Sequence, residues 1–260
     1  MGFFYFDESA HPKGKFSLGA FAYSESSLEQ PVADVLRRSG LNPYIDEFKS
    51  GSLMVRHPEQ AHARGLLWSV ICKHCQIGIV VAPASPLEML GREALQGLTK
   101  IVFTNSFDSR DHNVFFDEGI FPSSHTADRV AKEICSAQNC KLYFEQNSVK
   151  ILGLQVADLI AHTCATMLLA QLGLVRKTVK AGPDSGYDPD GDMPLEFSLW
   201  ATLRYNFFAA SQPPYDTWKS QLDFKVDVES RGLHISDSCD DAVKSAALSR
   251  FGSMYLGCIH

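Results

Sequence analysis

The chain has 260 residues, of which 45% are hydrophobic and 21% charged, the composition of one large folded domain or two small ones. A disordered chain, a collagen-like repeat and a coiled coil are excluded. Lys plus Arg number 24 and Asp plus Glu 30, a net charge of −6, which speaks against a generic DNA-coating protein: neutralising phosphates takes a basic surface, so any role on nucleic acid must use a local site, a metal or a partner.

Phe3-Phe4-Tyr5-Phe6 is too short for a helix and suits a central strand buried on both faces. The predicted strand stops at Asp7-Glu8-Ser9, which puts the acids at its C-terminal end. Pro12, Lys13 and Gly14 make a turn, and residues 16–23 form a second strand, giving a hairpin. A helix starts at residues 26–30 and runs to Arg38, before Gly40. Residues 44–49 are predicted as a short strand. Pro58 opens a helix through Cys72, residues 76–81 form an apolar strand, and Pro86 starts a helix to about Phe103. Val114-Phe115-Phe116-Asp117-Glu118-Gly119 repeats the first pattern, an aromatic strand ending in an acid pair. A helix over 126–138, a strand over 142–144 and a very apolar helix over 153–172 follow. Residues 180–194 read as a loop, 195–210 as a helix broken by Gln212-Pro213-Pro214, and 240–250 as a last helix. Strands mixed with helices, opening on a hairpin, indicate a mixed α/β sheet with helices packed on it. The expected division is a core over 1–175 and a C-terminal helical and irregular extension over 176–260 that packs on it.

Seven cysteines form no disulfide ladder. The first residues carry neither a signal peptide's basic region nor a myristoylation pattern. The longest apolar stretch contains Gln155, Asp158, His162 and Gln171, which suits a buried core helix better than a membrane span. The expectation is a cytoplasmic protein with reduced thiols and no membrane partner.

Three acids stand out. Asp7 and Asp117 end strands, and ligands collect outside the carboxyl ends of strands in open α/β sheets. Asp158 lies in the otherwise apolar helix Leu154-Gln155-Val156-Ala157-Asp158-Leu159-Ile160-Ala161, where a buried carboxylate is costly unless paired or metal-bound. Clustered carboxylates repel one another unless a cation neutralises them. Mg²⁺ or Mn²⁺ suits oxygen ligands and leaves water positions for a phosphate to replace. Glu8 alternates to the opposite face of the strand from Asp7 and can ligate only if the strand has ended there. Gln155 shares a helix face with Asp158 and can orient it, contact a phosphate or make a helix-to-sheet hydrogen bond. His162, one turn further on, is either a general base or a core histidine. Two other constellations fail. Cys72-Lys73-His74-Cys75, with His57 and His62 before it, is half a zinc site without a second pair. The acids between Asp184 and Asp192 lack the glycine and the terminal glutamate of a calcium loop.

Tyr5-Phe6-Asp7-Glu8-Ser9 and the Gln155-x-x-Asp158 helix, with the lead-in Ser148-Val149-Lys150, resemble the two end motifs of the bacterial family catalogued as domain of unknown function 3800. Glu47-Phe48-Lys49 resembles its middle motif and Phe116-Asp117-Glu118 its strand-end acid. The likeness covers about residues 3 to 170; Ala10 stands where the family usually has Gly. It implies a ribonuclease H-like mixed sheet flanked by helices and a metal-dependent phosphodiesterase centre. Asp7 would be the shared metal ligand, Asp117 or Glu47 a second and Asp158 a third, with Lys49 and Lys150 on the substrate side. The resulting expectation is a Mg²⁺- or Mn²⁺-dependent nuclease acting on DNA or RNA, by family analogy in bacterial or phage-related defence, with a homodimer or a defence-system protein as partner. The alternatives are a non-catalytic scaffold that binds a protein or nucleic acid, and a hydrolase of small phosphate esters.

Overall fold

The computed structural model describes residues 1–257 except 86, 108, 183–184, 213–214, 218 and 221–222. The elements run β1 (Gly2–His11), β2 (Phe16–Ser24), α1 (Glu29–Arg38), α2 (Pro58–His74), β3 (Gln76–Pro83), α3 (Leu87–Thr104), β4 (His112–Asp117), α4 (Ser124–Ile134), β5 (Cys140–Gln146) and α5 (Gly153–Gln171). They continue with β6 (Thr178–Lys180), β7 (Asp192–Pro194), α6 (Leu195–Leu203), β8 (Asp227–Glu229), β9 (Leu233–Ile235), α7 (Asp241–Phe251) and β10 (Ser253–Tyr255). The result is an α/β protein built on a mixed six-stranded sheet with the order β5-β4-β1-β2-β3-β9. β1, β2 and β3 form an antiparallel meander, and β4 and β5 continue in parallel from the other edge of β1.

The aromatic run of β1 is buried on both faces. Phe4 and Phe6 join Phe21, Tyr23 and Val80 under α3 and α4, while Tyr5 joins Leu18, Ala20, Ile79 and the apolar side of α5. Each such ring contributes on the order of 1.5–3 kcal/mol by leaving water. Tyr5, Phe115 and Tyr143 stack across three strands, with ring centroids 5.6 and 4.8 Å apart. The α5 face of β1 therefore carries Tyr5 and, two residues on, Asp7. α5 lies close on that face because its first residue is Gly153, where a Cβ would come within 2.3 Å of the Tyr5 ring. α5 is long and apolar enough to cross a membrane, but 72% of that window is buried inside the protein, and it serves here as the central core helix.

Several expectations are corrected. β1 does not end at Asp7: its pairing with β2 continues to His11↔Phe16, and only the ladder to β4 stops, at Phe6↔Phe116. Residues 44–49 are turn and irregular chain, with Tyr44 at φ 68°, because the Ile45 and Asp46 N–H groups turn back to the Asn42 carbonyl and side chains, not a neighbouring strand, take those of Phe48 and Lys49. The 180–194 region is bracketed by the paired strands β6 and β7, and the helix expected to reach residue 210 stops at Leu203, after which Phe207 and Ala209 make isolated bridges to Ile77 and Ser230. The helix expected to reach 138 stops at Ile134, where Cys135 turns extended. Pro86, Asp184, Pro213 and Pro214 lie outside the described residues. Past residue 176, β9 adds to the β3 edge, and Leu203, Val243, Ala247 and Phe251 enter the same core as α5.

Candidate active site

Asp7 and Asp117 each stand one residue beyond the last paired position of two adjacent parallel strands, where the strands are about 4.8 Å apart. β4 delivers Asp117 on the α5 face, two residues after the stacked Phe115. The irregularity in the β4–β5 ladder is taken up by β5, whose Glu145 has φ 53°. Asp158, on α5, comes into the same field. Burial, then the charges of Asp117, Glu8 and Asp158, hold the Asp7 carboxyl well above its ordinary range, against the Glu8 backbone N–H that donates to Asp7 Oδ1 at 2.7 Å. Burial also pushes Asp117 up to about 7; the Glu118 backbone N–H and Lys49 oppose this, and Glu8 and Glu47 add to it. Burial raises Glu8 as well, against its hydrogen bond with the Asp7 side chain. Glu8 Oε2 is buried with no hydrogen-bond partner.

A clamp forms the second wall. Both oxygens of Asp158 accept hydrogen bonds from Ser50, Oδ1 from the hydroxyl at 2.5 Å and Oδ2 from the backbone N–H at 2.8 Å. Gln155, buried one turn earlier, accepts from the Phe48 N–H at 2.9 Å and donates to the Ser148 carbonyl at 2.9 Å. Gln60 and Arg64, one turn apart on α2, complete it. Gln60 accepts from the Lys49 N–H and donates to the Glu47 carbonyl, and Arg64 donates to the Ser50 carbonyl. Phe48 is fully buried among these groups. The middle motif and the Gln-x-x-Asp helix are thus joined physically, across more than 100 residues of sequence.

The expected site residues therefore divide. Asp7, Glu8, Asp117 and Asp158 share one electrostatic environment. Glu47 borders it, paired with Lys49 at 2.6 Å and accepting from the Ser148 hydroxyl. Lys49 is drawn to this edge; burial lowers its pKa, but the bond and charge of Glu47, with Asp158 and Asp117, leave it raised. Gln155 does not face a substrate, because backbone groups take both ends of its amide. His162 is half-buried; burial and Arg64, opposed by Asp158 and followed by Lys177, lower its pKa and favour the neutral ring. Lys150 is exposed on the turn before α5. Ser50, Gln60 and Arg64 escaped the sequence reading. The signal was the spacing of four between Gln60 and Arg64, which puts two long polar side chains on one face of a helix.

Among the described residues, no three or more His, Cys, Asp or Glu side chains are close enough together to hold an ion as they stand. This includes Cys72 and Cys75, of which the first is exposed and the second buried. The donor set at the strand ends is nonetheless all carboxylate oxygen, the hard chemistry of Mg²⁺ and Mn²⁺, and the unpartnered Glu8 oxygen marks unspent acceptor capacity there. No family model matches the chain, and no curated protein matches it, so the likeness to the family of domain of unknown function 3800 rests on the motifs themselves.

Proposed function

We propose that this protein is a divalent-metal-dependent phosphodiesterase acting on nucleic acid, on a ribonuclease H-like fold. One observation carries the reading: Asp7 and Asp117 stand one residue past the last pair of two adjacent parallel strands, and the charges of Asp158 and Glu8 bear on the same strand ends, with Lys49 the cation that opposes them at Asp117. The antiparallel meander followed by parallel strands on the edge of β1 supports the same assignment, since it makes Asp7 and Asp117 neighbours. Asp7, Asp117 and Asp158 are the residues to hold a cation. β1 stays paired with β2 through Glu8, which by strand alternation ought to face away from Asp7, but its carboxyl hydrogen-bonds the Asp7 side chain and so stays at the edge of the site. When bound, such an ion lowers the pKa of its water and offsets the charge that develops on a phosphodiester. The chain's own part is to orient and to exchange protons. Ser50 fixes the plane of the Asp158 carboxylate, Lys49 presents a cation to a phosphate, and the neutral His162 ring is placed to accept a proton. The test is titration calorimetry with Mn²⁺ beside cleavage of labelled DNA and RNA. Binding and cleavage that are lost in Asp7→Asn and Asp158→Asn, with folding retained, bear the reading out; cleavage retained in both variants removes it.

A second reading, a scaffold that binds a partner without cleaving it, is favoured by the Asp158 and Glu47 carboxylates being already engaged within the protein. No Mn²⁺ binding at millimolar metal would select it.

A further inference from the structure

β1 and α5 run side by side beyond the carboxylates. Gly153 lies against Tyr5, Asp158 within the field of Asp7, His162 within that of His11, and Leu169 against the turn at Gly14. Asp7, Ser9 and His11 alternate onto one face of β1, and Ser9 Oγ and His11 Nε2 are hydrogen-bonded at 2.9 Å. The line of side chains changes character as it goes: acids first, then His162, on which the charges of Arg64 and Lys177 bear, and then His11. At the end is a mostly apolar cavity of about 460 Å³ lined by His11, Pro12, Lys13, Leu169, Leu174 and Val175. That volume lies within the usual range for sites that take a planar organic group, and Leu174, 53% exposed, presents an unburied apolar side chain at its mouth.

We propose that this cavity receives an unpaired nucleobase of the strand whose phosphate sits at the carboxylates. The inference rests on the phosphodiesterase reading and adds a substrate class to it, a single strand rather than a closed duplex. From Asp7 to His11 the strand advances about 13 Å, which puts the cavity within a few nucleotides of the acids. Arg64, which donates to the Ser50 carbonyl beside Asp158, and Lys177, whose charge reaches His162, are the cations on the acid side that a sugar–phosphate chain could meet, and Lys13 lines the far cavity. A base in the cavity would lie mainly against the aliphatic wall, with the His11 ring, itself packed on Phe16 with centroids 5.3 Å apart, as the one ring in the lining. A paired base could enter only by leaving its helix.

The test is fluorescence anisotropy with a short labelled single strand, its duplex, and the same strand carrying single abasic positions, in Ca²⁺ and in chelator. Leu174→Glu puts a charge at the mouth from an exposed position, and Leu248→Glu, exposed on α7, is the control. The expected result is that the single strand binds more tightly than the duplex, that Leu174→Glu weakens it about tenfold, and that Leu248→Glu does not. One abasic position should cost the same on the wild type and nothing further on Leu174→Glu, with Mn²⁺ binding at the acids unchanged. Equal binding by wild type and Leu174→Glu, indifference to every abasic position, tighter binding of the duplex, or no strand binding at all overturns the proposal. Cleavage that depends on Asp7 but ignores Leu174 and abasic positions removes the cavity and leaves the phosphodiesterase. Cavity-dependent strand binding without Mn²⁺ binding or cleavage does the reverse.

Discussion

Ser50 holds both oxygens of the Asp158 carboxylate, through its hydroxyl and its own backbone N–H. A charged acceptor is involved, so the hydroxyl bond is of the stronger kind. Ser50→Ala removes it and leaves the N–H in place. The expected loss is about 1.5–3 kcal/mol of stability, read from the urea midpoint at unchanged slope. If the hydroxyl is what orients Asp158, Mn²⁺ affinity falls with it; a stability change without an affinity change would confine Ser50 to a structural role.

Gln155 makes a second, wholly buried connection. Gln155→Leu keeps the volume approximately but strands the Phe48 N–H and the Ser148 carbonyl. Each stranded group costs about 1–3 kcal/mol, so a total of roughly 2–6 kcal/mol is expected, and amide exchange at residues 47–50 should quicken in step. Protection at those amides equal to wild type would show that the segment is held by Gln60 and Arg64 alone.

The acid cluster makes a pH prediction with a definite sign. Folding raises the pKa of Asp117 to about 7 and that of Asp7 well above its ordinary value. The folded state therefore binds more protons than the unfolded one between the ordinary carboxyl pKa and the raised values. By linkage, the stability of the metal-free protein falls as pH rises from about 4 towards 7 and beyond. Asp117→Asn flattens that slope by removing one of the groups. Mn²⁺ affinity should climb over the same range, because metal displaces those protons. Thermal melts at pH 5 and pH 8, with and without Mn²⁺, on the wild type and on Asp117→Asn measure both. The lowered pKa of His162 acts in the opposite direction in each protein, so the deciding quantity is the difference between them, and a pH slope in Asp117→Asn equal to that of the wild type contradicts the clustering.

Gly153→Ala places a methyl group 2.3 Å from the Tyr5 ring. Overpacking of this kind costs about 1–3 kcal/mol. The way to relieve it is for α5 to move off β1, which carries Asp158 away from Asp7. The expectation is a lower melting temperature together with weaker Mn²⁺ binding, whereas the open Gly173 position, just past the far end of α5, should affect only stability.

The strands with the most pronounced patterns were legible in the sequence: β1, β2, β3, β4 and β5 all fall where aromatic or apolar runs end at turn residues, and α2, α3, α5 and α7 where helical spacing persists. The strands β8, β9 and β10 were not, because three residues carry no period and exist only through their partners. Residues 44–49 mix polar and apolar side chains as a short strand can, yet only Phe48 is buried among the core side chains, and what orders its backbone is a glutamine 107 residues away. For the site, the acids were legible because a carboxylate in an apolar helix needs a reason. Ser50 was not, since a serine in an irregular segment carries no pattern until the fold brings Asp158 to it.

The spacing within α5 has one further consequence. Gln155 and Asp158 are three positions apart on a helix packed on several sides, so both address the same segment at once. Each residue of a helix turns about 100°. One inserted residue between them would swing Asp158 into the hydrophobic layer while Gln155 stayed in place, so a chain of this kind can vary in its loops far more readily than it can change the phase of this helix.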